Sequence, residues 1–249
     1  MHHFLYGRSQ RNPFFHTSCQ SVMFSTEQEL INAFKRISKL FLSDLLEKSI
    51  SRFFLVEEFN SQNGIADLVM GTYRAHLSQS RIRETINLNW ISPLANFEAR
   101  SIIDVAGFMT IYRVSQKTAS KRLQEYAKAG FLQLLEQDKY KILKKYKLIT
   151  DTVISIEAKL KNWQRALQQA HRYKRFSHNS YVLLDDSKSR PALKNIALFK
   201  KYNIGLVTMN CDGYIVHHVP TRQEAKKTHA YLRVNEVAYN YFKTQCASV

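Results

Sequence analysis

The feature that most constrains the fold of this chain is an apolar segment, residues 153–160, that carries two charged residues, Glu157 and Lys159. A run of this length rich in valine, isoleucine and leucine predicts a buried strand. Side chains two apart on a strand point to the same face, so the carboxylate and the ammonium should lie side by side. Burying them is costly unless they pair or hold a metal ion, and the pair therefore indicates a functional site.

A second acid in an apolar setting lies far upstream. Asp67 is the charged residue of the segment 64–71, which begins and ends with glycine. The segments 53–59 and 65–70 predict two strands joined by a polar turn, which places Asp67 on the second strand. Glu57 and Glu58 on the first strand are alternative acids for the same site.

Glu157-Ala-Lys159 at the end of a core strand, with Asp67 on an upstream strand, resembles the metal-site motif of the PD-(D/E)XK nucleases, the restriction-endonuclease-like superfamily. The resemblance implies that Asp67 and Glu157 bind Mg²⁺, with Mn²⁺ as an alternative ion. It implies that Lys159 orients the attacking water or helps to deprotonate it, and stabilises negative charge. The family often has an accessory acid on its first helix, where Glu27 or Glu29 would stand near the start of a helix predicted over residues 26–48.

The segment after the Glu-x-Lys strand, residues 163–173, predicts a basic amphipathic helix. At 100° per residue, Gln169 and Tyr173 border its apolar face. Their spacing resembles the Gln-x-x-x-Tyr motif that follows the Glu-x-Lys strand in the RecB-like branch of the same superfamily. The resemblance implies that Gln169 holds the nucleotide or the lysine, and that Tyr173 packs against the site or contacts phosphate. Arg165 and Arg172 give the helix a basic surface that is expected to bind DNA.

The balance of charge favours an anionic polymer as the partner. The chain has 249 residues, with 37 Lys and Arg against 20 Asp and Glu, which gives a formal charge of +17. An excess of this size favours nucleic acid first and an anionic membrane surface second. Hydrophobic residues make up 45% of the chain, which is enough for a core and argues against global disorder.

The sequence predicts a cytoplasmic location. No stretch approaches about 20 uncharged apolar residues, so no transmembrane helix is expected, and the N-terminal segment lacks the pattern of a signal peptide. Cys19, Cys211 and Cys246 have no close pairing, which indicates reduced thiols. The histidines match no zinc-binding pattern.

The remaining segments alternate between strands and helices. We predict strands over residues 181–184, 204–209 and 214–219, and helices over residues 191–202 and 231–242. This alternation implies an α/β fold with a mixed central sheet flanked by helices. The same architecture is expected for the restriction-endonuclease-like core that the motifs imply.

A long insertion separates Asp67 from Glu157. Within it the pattern predicts helices over residues 97–106 and 115–129, followed by two short strands over 131–136 and 140–143. Residues 114–132 resemble the recognition helix and first wing strand of winged-helix DNA-binding domains, with Ser115 as the N-cap of the helix. The alternative is a small insert that covers the sheet or mediates dimerisation.

The predicted recognition helix presents an outer face of side chains suited to base edges and phosphates, namely Gln116, Lys117, Ser120 and Lys121. Lys139 and Lys141 in the predicted wing would neutralise backbone phosphates. Binding through these residues should therefore depend strongly on salt concentration.

Three regions are predicted: an N-terminal arm over residues 1–25, a nuclease-like core over 26–84 and 148–249, and an inserted winged-helix-like subdomain over 85–147. The predicted function is a Mg²⁺-dependent endonuclease that hydrolyses phosphodiester bonds in double-stranded DNA. A second copy of the chain, or a protein of a mobile-element or defence system, is a further expected partner, whereas a membrane is not.

Two other functions stay open. A catalytically inactive core would make the chain a nuclease-like DNA-binding regulator or assembly factor, and the charge alone is also compatible with an RNA-directed nuclease or RNA-binding protein. In the simplest alternative, Glu157 and Lys159 form an ion pair at a strand end and Asp67 is a turn residue. Gln169 and Tyr173 would then be ordinary positions at a helix border.

Overall fold

The structure is a computed structural model, and it describes residues 24–62, 64–74, 82–136 and 138–247. The predicted N-terminal arm, residues 1–25, lies outside the described residues except for its last two. The chain divides into two compact units, residues 1–72 with 151–226 and residues 73–150 with 227–249.

The helices are α1 (Glu27–Leu46), α2 (Ile91–Ala95), α3 (Val105–Tyr112), α4 (Gln116–Lys128), α5 (Trp163–Tyr173), α6 (Arg190–Lys194), α7 (Ile196–Tyr202) and α8 (His229–Ala247). The strands are β1 (Phe53–Asn60), β2 (Ile65–Tyr73), β3 (Ile102–Asp104), β4 (Leu132–Leu134), β5 (Lys139–Ile142), β6 (Thr150–Lys159), β7 (Asn179–Asp185), β8 (Gly205–Asn210) and β9 (Gly213–His218). Together they make an α/β protein.

The first unit is built on a mixed six-stranded sheet with the order β1-β2-β6-β7-β8-β9. β6, β7 and β8 pair in parallel, whereas β1 with β2 and β8 with β9 pair antiparallel. The predicted mixed sheet of an α/β fold is therefore confirmed. The central position of β6 explains why its segment is almost continuously apolar, since a strand with neighbours on both sides and helices over both faces has no solvent side.

Two apolar clusters cover the faces of this sheet. Alternate residues of β6, including Ile154, Ile156 and Ala158, belong to a cluster with buried residues of α1 such as Phe34 and Phe41. The other cluster joins residues of α5, α6 and α7 to side chains of β7 and β8 that point the other way. Because side chains alternate along a strand, Asp67, Glu157 and Lys159 belong to the face that α5 covers.

Gly71 allows β2 to lie close beside β6. A Cβ atom built on Gly71 would lie 1.9 Å from the carbonyl oxygen of Thr152, which no real side chain could occupy. The glycine that bounds the Asp67 segment in the sequence is thus required by packing between these two strands. It helps to bring Asp67 next to the end of β6.

The second unit contains a three-stranded antiparallel sheet with the order β3-β5-β4. Helix α4 begins after Ser115, whose side chain accepts a hydrogen bond from the backbone of Thr118, as the sequence predicts. The helix predicted over residues 97–106 is wrong. Residues 102–104 form β3 instead, and α3 begins only after Asp104, whose carboxylate caps it through the backbone N–H of Gly107.

Helix α8 belongs to this second unit, whereas the sequence grouped residues 227–249 with the nuclease-like core. Leu232 joins the apolar cluster of the unit. Asn235 accepts hydrogen bonds from the backbone of Ile149 and Thr150. Glu236 has no exposed surface, and its carboxylate accepts from both terminal nitrogens of Arg83 and from the hydroxyl of Tyr146.

We expect Glu236→Gln to destabilise the second unit by about 3–5 kcal/mol, because it leaves the buried Arg83 guanidinium without its charged partner. Trp90 lies in this unit and Trp163 in the other, so urea unfolding followed by Trp90 fluorescence in a Trp163→Phe background reports on it. Exposed Glu84 provides the control, and Glu84→Gln should cost less than about 0.5 kcal/mol. Equal midpoints for the two variants would contradict the expectation.

None of the helices in the described part of the chain is both long enough and apolar enough to cross a lipid bilayer.

Candidate active site

Asp67, Glu157 and Lys159 come together at adjacent positions of β2 and β6. The ammonium nitrogen of Lys159 lies 3.0 Å from Oε1 of Glu157 and 3.8 Å from Oδ2 of Asp67. The same nitrogen lies 3.0 Å from Oε2 of Glu27, which stands in the first turn of α1. Residues far apart in the sequence thus form one cluster of three carboxylates around a lysine.

Glu157 is the buried member of this cluster, with 1% of its surface exposed. Its Oε2 accepts a hydrogen bond of 2.8 Å from the hydroxyl of Tyr173. Its Oε1 faces Lys159 but makes no well-directed hydrogen bond to any described group. Burial and then the charge of Asp67 raise the pKa of Glu157, and Lys159 and Tyr173 reduce this effect only in part.

Asp67 is fixed by the backbone of the neighbouring strand. Its Oδ2 accepts a hydrogen bond of 2.7 Å from the N–H of Ala158, the residue between Glu157 and Lys159. Burial raises the pKa of Asp67, and the Ala158 and Lys159 interactions oppose that rise without reversing it. Both carboxyl groups therefore carry a free-energy cost of ionisation that a nearby cation would reduce.

Lys159 is 14% exposed in its side chain and donates to the carbonyl oxygen of Ala158 at 2.8 Å. Burial alone would lower the pKa of this lysine, but the carboxylates of Glu157 and Asp67 outweigh burial and raise it. The side chain is therefore an ammonium ion at neutral pH. In this state it can donate hydrogen bonds and balance negative charge, but it cannot accept a proton.

Helix α5 brings Gln169 and Tyr173 to the same site. The side chain of Asn162 caps the helix by accepting a hydrogen bond from the backbone N–H of Arg165. The buried face of the helix packs on β7 and β8. Gln169 lies close to Tyr173 and slightly reduces the rise in its pKa that burial causes. The hydroxyl of Tyr173 reaches both Glu157 and the carbonyl oxygen of Ile65 on β2. Burial raises the pKa of Tyr173, so the phenol stays protonated as a donor. Arg165 and Arg172 of the same helix are exposed.

The alternative acids lie at different distances from the cluster. Glu29 accepts from the backbone N–H of Ser25 as part of the helix cap, and Glu57 forms an ion pair with Lys35. Glu58 on β1 is exposed, and its charge contributes to the raised pKa of Asp67. Glu27 contacts Lys159 directly, as noted above.

The residues present fit a hard divalent cation. No group of three or more His, Cys, Asp or Glu side chains in the described residues is arranged to chelate a metal ion by itself. Mg²⁺, however, is commonly held by one or two carboxylates and completes its shell with water or substrate oxygens. Asp67 and Glu157 supply two carboxylates, and Glu157 has a buried oxygen without a well-directed hydrogen bond. This donor set suits Mg²⁺ or Mn²⁺ rather than Zn²⁺.

The predicted duplex-binding residues lie on the second unit. Gln116, Lys117 and Lys121 are exposed on α4, and Ser120 between them is half-buried. Lys139 and Lys141 are exposed on β5. These residues are the candidate duplex-binding residues of the second unit. They do not include Arg165 and Arg172, which lie on α5.

The sequence did not single out two features of this region. The backbone N–H of Ala158 holds Asp67, and a main-chain donor leaves no trace in residue identity. A groove along α5 with a volume of about 630 Å³ is lined by Asn162, Gln164, Arg165, Gln168, Gln169 and Arg172. The concentration of amide side chains in residues 162–169 was its visible signal.

Comparisons with known proteins assign no family. No family model and no curated protein matches the chain. A solved structure, described as the SPO1766 protein of unknown function from Silicibacter pomeroyi, is similar with a TM-score of 0.28 and 11% sequence identity. The similarity covers 39% of this chain and 63% of that one, which is less than two thirds of its length.

Proposed function

We propose that the chain is a metal-dependent DNA endonuclease with a restriction-endonuclease-like core and an inserted winged-helix subdomain. The observation that carries the proposal is the position of the Lys159 ammonium between two carboxylates. It lies 3.0 Å from that of Glu157 and 3.8 Å from that of Asp67. A buried glutamate and a partly buried aspartate beside a lysine are costly for stability, and such a cost is typical of active sites.

The neighbouring strands and helix support the same reading. The acid-bearing strand lies next to the Glu-x-Lys strand in the sheet. The helix that follows brings Tyr173 to Glu157, with Gln169 beside Tyr173. An ion pair at an exposed strand end, the simplest alternative, is disfavoured because Glu157 is almost fully buried. The presence of all the expected groups in contact also disfavours an inactive core.

Each of these residues has a defined task in the proposed hydrolysis. Asp67 and Glu157 would hold Mg²⁺, held in place themselves by Ala158 and Tyr173. When bound, the metal supplies charge relief to the phosphate and lowers the pKa of a coordinated water. Lys159 remains an ammonium ion, so we assign it the stabilisation of negative charge and the orientation of the water rather than proton abstraction.

The second unit supports a role in duplex binding. Its order of elements, α2-β3-α3-α4-β4-β5, with β5 between β3 and β4, is the arrangement expected for a winged helix. The exposed face of α4 carries Gln116, Lys117 and Lys121, and β5 carries two further lysines. Side chains of these types bind base edges and phosphates.

We expect Lys117→Gln/Lys121→Gln to weaken duplex binding and to reduce the slope of log K against log salt by about 1.8, because two phosphate contacts are lost. Fluorescence anisotropy between 50 and 300 mM salt would measure both quantities. The control is Arg36→Gln/Lys39→Gln, which removes two exposed charges from α1. A change of equal size in the control would show that only total charge matters.

Cleavage of supercoiled plasmid and end-labelled DNA tests the proposed activity. We expect hydrolysis with Mg²⁺ or Mn²⁺, none with EDTA, and recovery when the metal is restored in excess. Salt-sensitive duplex binding without cleavage of any DNA substrate would favour the nuclease-like DNA-binding regulator. Cleavage of RNA but not DNA would favour the RNA-directed alternative.

A further inference from the structure

The groove along α5 differs in shape and chemistry from the duplex-binding surface proposed on the second unit. It is a concavity of about 630 Å³ beside one helix of the first unit, lined by the six residues named above. Four of these carry amides and two carry guanidinium groups, and none of the described lining residues is acidic. The surface is therefore positively charged and rich in paired donors and acceptors.

The two arginines are placed to hold successive parts of one phosphate backbone. Arg165 and Arg172 are seven residues apart on a regular helix, which puts them on the same side and about 10 Å apart along its axis. A phosphate backbone that runs along the helix can therefore contact both guanidinium groups at once. Both side chains are exposed, so a phosphate can approach without displacing packed atoms.

The amides that line the groove suit bases whose pairing edges are free. An amide side chain carries a donor pair and an acceptor, which match the Watson–Crick edge of a base. In a duplex those edges are already paired, and a protein helix that reads a duplex does so as a ridge inside the major groove. A concavity of a few hundred Å³ instead accommodates one strand.

Gln169 links this groove to the catalytic cluster. Its side chain lines the groove and lies beside Tyr173, which donates to Glu157. Its Oε1 is buried without a hydrogen-bond partner in the described residues. Buried acceptors in native proteins are rarely left unpaired, and a donor from a bound nucleotide would satisfy this one.

We propose that the α5 groove binds a single, unpaired nucleic-acid strand, with Arg165 and Arg172 on its phosphates and Asn162, Gln164 and Gln168 on its bases. This assignment rests on the nuclease function proposed above, because the bound strand would lead to the phosphate-cleaving site at Glu157. It implies that the strand to be cut is separated from its complement at the site.

The test compares the binding of a fluorescent single-stranded oligonucleotide and of the matching duplex in EDTA, where no cleavage occurs. In Arg165→Gln/Arg172→Gln the ratio of single-strand to duplex affinity should fall at least about ten-fold, since two charge-assisted contacts are lost. The single-strand salt slope should fall by about 1.4. Arg36→Gln/Lys39→Gln, with the same loss of charge, should leave the ratio within about two-fold of the wild type.

Equal losses for single strand and duplex, or no change in either, would overturn the groove assignment. Cleavage is measured separately in the wild-type protein with Mg²⁺. Single-strand binding that depends on the two arginines, without cleavage, would support the groove assignment and contradict the nuclease function. Cleavage by the wild type, with an unchanged ratio of single-strand to duplex affinity in the arginine variant, would support the nuclease function and contradict the groove assignment. The two failures are therefore distinguishable.

Discussion

Replacing Lys159 with alanine should reduce the rate of metal-dependent DNA cleavage by about 10²–10³-fold, the usual effect of removing one group that stabilises charge in the transition state. The ammonium lies within 4 Å of both proposed metal ligands, where a phosphate would carry its developing charge. Duplex binding should be little changed, because the proposed duplex-binding residues lie on α4 and β5. Single-turnover cleavage with saturating protein separates the chemical step from binding.

Lys161 provides a matched control for this variant. It is an exposed lysine two residues further along the chain, and Lys161→Ala removes the same charge from the same region. We expect the control to cleave at close to the wild-type rate. Lys159→Met preserves the apolar stem and shows whether any loss in Lys159→Ala comes from packing. A Lys159 variant that is folded and cleaves at more than one tenth of the wild-type rate would contradict the assigned role.

Glu157→Gln should reduce the cleavage rate by a factor similar to that expected for Lys159→Ala, while the protein stays folded and binds duplex DNA. The amide is nearly the same size as the carboxylate but is a poor ligand for a hard divalent cation. Glu57→Gln is the matched control, because Glu57 is a nearby acid that pairs with Lys35 outside the cluster. Loss of cleavage in Glu57→Gln with activity retained in Glu157→Gln would move the site to the other strand.

The pH dependence of cleavage follows from the same carboxyl groups. Metal ligands must be deprotonated, so cleavage should be lost as pH falls through the pKa values of Glu157 and Asp67. Burial raises both values above the ordinary 4.5 and 3.8, so the loss should begin at a higher pH than for exposed carboxylates. Rates at one fixed Mn²⁺ concentration below saturation should increase with pH between pH 4.5 and 8, and a flat profile would contradict the assignment of these carboxyl groups as metal ligands.

The sequence predicted the local elements of the candidate site because each has a strong local signal. The apolar run around Glu157 predicted a buried strand, and the spacing in α5 predicted that Gln169 and Tyr173 would share a helix border. Gly71 entered the sequence analysis only as the end of the Asp67 segment, and its packing role depends on Thr152, which is far away in the sequence.

Tertiary contacts determine what the sequence did not predict. Residues 102–104 pair with β5 as a strand, and this pairing overrides the helical pattern predicted over 97–106. The helix predicted over 191–202 is divided at Asn195, whose side chain bonds to the carbonyl of Pro191. The grouping of α8 with the second unit depends on Glu236 and Asn235, whose partners lie far away in the sequence.

Direct measurement of metal binding tests the central claim that Asp67 and Glu157 form a divalent-cation site. Isothermal titration of the metal-free protein with Mg²⁺ or Mn²⁺ at pH 7.5 would be compared with the same titration of Asp67→Asn. Saturable binding in the wild type that is lost in the variant is the predicted result. Binding of equal affinity in both proteins, or no binding in the wild type with or without DNA present, would contradict the account.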